Sequence, residues 1–112
     1  MHPMRVLVVD DEVRLAAAVQ RGLQAEGFTV DVAHTGLDGL WAATEQHYDA
    51  IVLDIMLPGM NGYRVCAELR NRGVDTPILM PVSYTHLRAH ETVLDLVCRL
   101  LLEKKKKNKL NS

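Results

Sequence analysis

Apolar residues fall along this chain in two rhythms that take turns. Arg5-Val6-Leu7-Val8-Val9 is a β-branched run without a polar face, which predicts a strand buried on both sides. From Val13 to Glu26 the period lengthens. Leu15, Val19 and Leu23 share one face there, with Arg14, Gln20, Arg21 and Gln24 largely opposite, as in an amphipathic helix. Gly27 stands where a C-terminal cap is expected. Phe28, Val30 and Val32 then alternate with Thr29 and Asp31, predicting a half-exposed strand at a sheet edge. Thr35 can cap a second helix running to about His47, with Leu37, Leu40, Trp41 and Thr44 at helical spacing and Trp41 read as a packing residue. Ala50 to Leu53 is a second run apolar on both faces. Asn61 to Arg72 reads as a third helix, with Val65, Cys66 and Leu69 inward and Gly73 closing it. Thr76-Pro77-Ile78-Leu79-Met80 opens a fourth strand.

Strands alternating with helices in this way imply a parallel sheet with crossover helices. In a doubly wound sheet of order 2-1-3-4 the first and third strands are neighbours, and their carboxyl ends meet at the topological switch point. The first of these strands ends in Asp10-Asp11-Glu12. The third ends in Asp54, and Pro58-Gly59 forces the loop after it to turn. Taken by itself, Asp54 reads most simply as a strand-end residue capping a loop. The strand order changes that reading, because it brings Asp54 to the Asp10-Asp11 pair. Three carboxylates crowded together raise one another's pKa unless a cation intervenes. Oxygen-only ligands suit a hard ion, and a few carboxylates with waters and a substrate phosphate is a magnesium arrangement. An aspartate in such a site, beside a phosphorylated donor, can serve as a phosphoryl acceptor.

Composition narrows the class. A chain of 112 residues is one domain at most, and 48% hydrophobic content with only 4% aromatic indicates a core of aliphatics. The net charge of −1 hides a split. Residues 1–80 carry 6 Arg, no Lys and 11 acids, whereas residues 81–112 carry 2 Arg, 5 Lys and 3 acids. All seven Gly lie in the first part, and all five Lys lie between 104 and 109. Cys66 and Cys98 have no partner at metal or disulfide-motif spacing, so both read as reduced filler residues of a cytoplasmic protein. The N-terminus enters a strand pattern directly, without a signal peptide, and no apolar run approaches the ~20 residues a bilayer requires. His2, His34 and His47 read as scattered surface residues.

Val-Val-Asp10-Asp11-Glu12, Leu-Asp54-Ile-Met-Leu-Pro58-Gly-Met-Asn-Gly62 and Thr-Pro-Ile-Leu-Met, in that order, resemble the receiver domain of a two-component response regulator. The resemblance covers residues 4–80, and the wording around Pro58 is similar to the OmpR/PhoB-type branch. It implies a flavodoxin-like, three-layer α/β/α sheet of order 2-1-3-4, here without its fifth strand. It further implies that Asp54 takes a phosphoryl group from the phosphohistidine of a sensor histidine kinase. Asp11 and Asp54 would ligate Mg2+ directly, Asp10 through water, and the backbone carbonyl of Met56 would complete the site. Pro58 and Gly62 would shape the loop that holds Asp54. The parent would be a cytoplasmic transcriptional regulator, binding DNA only through a C-terminal domain outside this chain, with no membrane contact, no enzymatic activity of its own, and dimerisation left to the intact parent.

Two family features are absent from the sequence. Val82 stands in the register of the family's switching Thr or Ser, with Ser83 one residue late, and no Lys follows at the end of a fifth strand. A charge-assisted contact of the kind that Lys makes is worth roughly 1.5–3 kcal/mol, so the chain is expected to switch poorly. With its fourth strand left as a sheet edge, it is also expected to be marginally stable. Two other readings remain. A stand-alone receiver acting through protein contacts fits the same motifs. A magnesium-dependent phosphohydrolase would need a carboxylate two residues after Asp54, where Met56 stands.

Residues 81–112 read as a separate, non-native tail. Val93, Leu94, Val97, Leu100 and Leu101 fall at helical spacing before a basic end, which suits a membrane-surface helix, a nucleic-acid-binding arm, or a helix folded over the open sheet edge. A different resemblance accounts for more of it. Ser83-Tyr84-Thr85-His86-Leu87 back-translates to TCT TAT ACA CAT CTC, similar to the end of a transposase-made sequencing library, and Arg88 to Thr92 fits its continuation. Asp95 to Glu103 fits GAT CTC GTA TGC CGT CTT CTG CTT GAA, which resembles a flow-cell adapter, and the lysines fit a run of A. His86 and His90, spaced like a metal pair, then carry no chemistry. Sequencing the encoding DNA checks this: those codons are expected across Ser83–Glu103, and different ones would end the adapter reading.

Overall fold

The computed structural model describes residues 3–80, 94–101 and 103. The elements are β1 (Arg5–Val9), α1 (Val13–Ala25), β2 (Thr29–Ala33), α2 (Gly36–Glu45), β3 (Ala50–Leu53), α3 (Gly62–Asn71) and β4 (Ile78–Leu79). Residues 94–101 are also helical. The four strands are parallel and lie in the order β2-β1-β3-β4, as the motif order implied.

The pleat sorts the two apolar strands between two cores. Val6, Val8, Ala50 and Val52 face the side where α1 contributes Ala16, Val19 and Leu23. Leu7, Val9, Ile51 and Leu53 face the other side, against Leu40 and Ala43 of α2 and Val65 and Leu69 of α3. All eight strand residues are buried, which is why neither run shows polar alternation. Helices α2 and α3 start where short polar side chains can accept an amide. Thr35 Oγ1 accepts from the Asp38 amide at 3.1 Å and Asn61 Oδ1 from the Arg64 amide at 2.9 Å.

Two details differ from the sequence-based expectation. Helix α2 ends at Glu45, short of His47, because Gln46 adopts extended backbone angles. Trp41 is not a packing residue. It is 68% exposed, and Leu37 beside it is 65% exposed. The inner face of α2 is made by Gly36, Gly39, Leu40 and Ala43. A Cβ added at Gly39 would lie 2.8 Å from the Val9 methyl groups, so the helix sits too close to the sheet for large side chains and turns them outward. Tyr48, which no pattern singled out, is among the largest buried side chains, and its hydroxyl donates to Asp31 Oδ2 at 2.7 Å. Arg5 approaches the same carboxylate at 3.8 Å and also bonds the Gln46 side chain.

The helical segment 94–101 lies on the α1 face, in a cluster that also takes in Leu79 of the edge strand β4. Val97 and Leu101 are fully buried in the α1-side core, with Leu94, Cys98 and Leu100 packed against it. Leu94 enters a notch opened by Gly22 in α1, where a Cβ would stand 2.6 Å from Leu94 Cδ1. Among the described residues β4 forms the sheet edge, and no helix is long and apolar enough to cross a membrane. Val82, Ser83, His86, His90 and the lysines between 104 and 109 lie outside the described residues.

Leu101→Ala is expected to destabilise the protein by about 2–5 kcal/mol, the range for emptying a buried leucine site. Leu96→Ala, at a residue 43% exposed, is expected to cost far less. Urea unfolding of both variants checks this, and equal midpoints would show that the segment does not dock.

Candidate metal centre

Strand β1 leaves the sheet at Asp10, and strand β3 leaves it at Asp54. Each residue makes one further rung before departing: the Asp10 amide donates to the Ala33 carbonyl at 2.9 Å, and the Asp54 amide to the Val9 carbonyl at 3.0 Å. The sheet backbone therefore sets how far each carboxylate stands above the strand ends. One oxygen from each of Asp10, Asp11 and Asp54 lies within 4.8 Å of the other two. The cluster sits in the crevice between β1 and β3, where the chain winds off in opposite directions to β2 and β4.

The three acids differ in environment. Asp10 is completely buried, Asp54 is half-buried and Asp11 is exposed. Asp10 Oδ1 accepts from the Glu12 amide at 2.9 Å, at the start of α1. Its other oxygen, Oδ2, is buried without a hydrogen-bond partner among the described residues. Burial pushes the Asp10 carboxyl up to about 7, and the carboxylates of Asp54, Asp11 and Glu12 add to that, against the Glu12 amide. Asp54 is also held above the ordinary carboxylate range, first by burial and then by Asp11 and Glu12, with the Met56 and Ile55 amides opposing.

The loop after Asp54 turns back tightly on the end of β3. The Met56 amide reaches Asp54 Oδ1 at 3.4 Å, a long contact that places the Met56 peptide beside the cluster while its side chain is 79% exposed. The Met60 amide donates to the Pro58 carbonyl at 2.9 Å, and Gly59 between them has φ +78, so the turn needs that glycine. At the far end the Gly62 amide donates to the Ile55 carbonyl at 2.8 Å. A Cβ at Gly62 would stand 2.5 Å from the Asp54 carbonyl oxygen, so the loop closes this tightly only with glycine there.

This donor set fits a divalent cation. An orphaned, buried carboxylate oxygen beside two further carboxylates is costly with no positive charge near it, and all the side-chain ligands are hard oxygens. Asp10, Asp11 and Asp54 thus converge on one crevice, the Met56 amide reaches Asp54, and Pro58 and Gly62 lie in the loop that follows. Sequence reasoning overlooked one residue here. His34, read as a surface residue, is exposed, yet its ring Nδ1 lies 2.9 Å from the backbone carbonyl of Asp10. A lone histidine after an edge strand carries no periodic signal, so only the pairing of β2 with β1 could reveal it.

Fold and crevice together define a doubly wound α/β domain with an acidic centre at its switch point. The model of the response regulator receiver domain family matches residues 6–111, and the chain belongs to that family. The transcriptional regulatory protein TcrA of Mycobacterium tuberculosis is 48% identical over 77 residues, covering 69% of this chain and 30% of TcrA. The response regulator MprA of Mycobacterium ulcerans is 38% identical over 97 residues, covering 87% of this chain and 39% of MprA. The chain therefore spans well under half the length of these relatives. Among solved structures, response regulator TrrA of Thermotoga maritima in complex with Mg(2+)-BeF is 36% identical, with a TM-score of 0.66 and 72% of each chain covered. The family match runs past residue 80, across the point where the composition shifts.

Because the folded pKa of Asp10 is raised above its ordinary 3.8, its protonation favours the folded state. That contribution is full below about pH 4 and is lost as pH rises through about 7. The metal-free protein is therefore expected to melt at lower temperature at pH 8 than at pH 5, and Mg2+ to raise the melting temperature more at pH 8. Circular dichroism melts with and without Mg2+ check both, and a stabilisation by Mg2+ independent of pH would contradict them.

Proposed function

We propose that Asp54 is the phosphoacceptor of this receiver domain, taking a phosphoryl group from the phosphohistidine of a sensor histidine kinase. The observation that carries this is the orphaned, buried Oδ2 of Asp10 in a three-carboxylate cluster whose accessible member at the end of β3 is Asp54. In the transfer an Asp54 carboxylate oxygen attacks phosphorus. The new O–P bond forms as the P–N bond breaks, and the electron pair returns to the donor imidazole. Asp10, Asp11, Asp54 and the Met56 backbone carbonyl would hold Mg2+, which would supply neutralisation of the charge on the transferring oxygens. Asp10 is buried and tied to the Glu12 amide, so it holds its position while Asp54 reacts. Pro58 and Gly62 keep the Asp54 loop closed behind the carboxylate.

The kinase as partner is supported by the structure of TrrA with histidine kinase ThkA, a regulator 36% identical to this chain with a TM-score of 0.67. The transcriptional regulatory protein TcrA supports a transcriptional output, which a cytoplasmic parent would deliver through a DNA-binding part outside this chain. Residues 4–80 would be the receiver proper and residues 81–112 a foreign tail, with Val82 where the switching hydroxyl belongs, so that phosphorylation is read out weakly. A stand-alone receiver acting through protein contacts remains the second reading for the parent. A phosphohydrolase is disfavoured, since Met56 puts a thioether where a second acid would act.

The chain is expected to gain one phosphoryl group when incubated with acetyl phosphate and Mg2+, by intact mass and with lability to hydroxylamine. Asp54→Asn is expected to reduce that gain to background while leaving the fold intact. Labelling that survives Asp54→Asn would sink the assignment.

A further inference from the structure

We propose that His34 is a positioning residue for the acidic centre: its ring fixes the plane of the peptide joining Asp10 to Asp11. The inference rests on the acceptor reading above and extends it to a residue outside the carboxylate set. The Asp10 amide already donates to Ala33, the last residue of β2. Regular parallel pairing would next join the Asp10 carbonyl to the Thr35 amide, but there the chain turns into α2, with Thr35 as its N-cap. The His34 ring takes that carbonyl at 2.9 Å.

A carbonyl oxygen can only accept, so Nδ1 of His34 must carry the proton and donate. The consequence falls on Asp11. Its backbone nitrogen belongs to the same planar unit as the Asp10 carbonyl, so holding that oxygen sets the direction in which Asp11 departs. Asp10 needs no such help, since burial and the Glu12 amide hold its side chain. Asp11 is exposed, and the oxygen it brings within 4.8 Å of Asp10 and Asp54 depends on that peptide orientation. His34 thus supports the most weakly held member of the cluster from the neighbouring strand, without touching a reacting group.

The test uses the full chain, with His34→Ala and His34→Asn compared by calorimetric titration with Mg2+. The asparagine amide can place a donor close to where Nδ1 stands. His34→Ala is expected to weaken Mg2+ binding about three- to tenfold, in line with the loss of one hydrogen bond, with a folded circular dichroism spectrum. His34→Asn is expected to restore most of the loss. In the unsubstituted protein at pH 8, long-range proton–nitrogen NMR is expected to show the His34 proton on Nδ1. A proton on Nε2 alone overturns the inference, as does unchanged Mg2+ affinity in a folded His34→Ala, even where its melting temperature falls. If the unsubstituted chain binds no Mg2+ at all, the acceptor reading fails first and this inference goes with it.

Discussion

Like charges held together at the mouth of β1 and β3 are the constraint on which the rest of this molecule turns. Asp10, Asp11 and Asp54 are brought within 4.8 Å of one another by backbone pairing, and one oxygen of the buried Asp10 has no partner among the described residues. The arrangement works against the stability of the empty domain, since burial and mutual repulsion both favour protonation. It persists because the sheet imposes it. Eight buried aliphatic residues of β1 and β3, with helices packed over both faces, hold the strand ends in place regardless of what the carboxylates prefer. A cation among the three carboxylates would offset that cost.

The surrounding loops answer the same constraint by different means. Behind Asp54, Gly59 and Gly62 let the chain fold back tightly, and the Ile55–Gly62 hydrogen bond closes the loop. Behind Asp10, the start of α1 supplies the Glu12 amide, and the end of β2 supplies the Ala33 carbonyl and the His34 ring. At the opposite end of the α1 layer, the segment 94–101 covers aliphatic surface through Val97 and Leu101. Its composition sets it apart from residues 1–80, yet it packs as an ordinary amphipathic helix. That combination has a plain physical basis: a leucine-rich stretch of the right period suits an exposed aliphatic floor whatever its origin.

Much of this was legible from residue order alone. Two apolar runs of strand length, each ended by aspartate, together with intervening helical periods, dictate a parallel sheet whose first and third strands adjoin, and so the convergence of Asp10, Asp11 and Asp54. Pro58 and Gly62 declared their loop because their backbone chemistry is local. What pattern could not supply was contact across elements. Trp41 shares a helical stripe with Leu37, but the close approach of α2 through Gly36 and Gly39 left both facing solvent. Tyr48 lies outside any periodic segment and is buried because Asp31 of β2 meets its hydroxyl. The docking of residues 94–101 on α1, the partnerless oxygen of Asp10, and the grip of His34 on the Asp10 carbonyl likewise arise from residues distant in the chain. Periodicity reports which face of an element is apolar, whereas distance between elements, and with it burial, charge and hydrogen-bond partnership, exists only once the elements are packed.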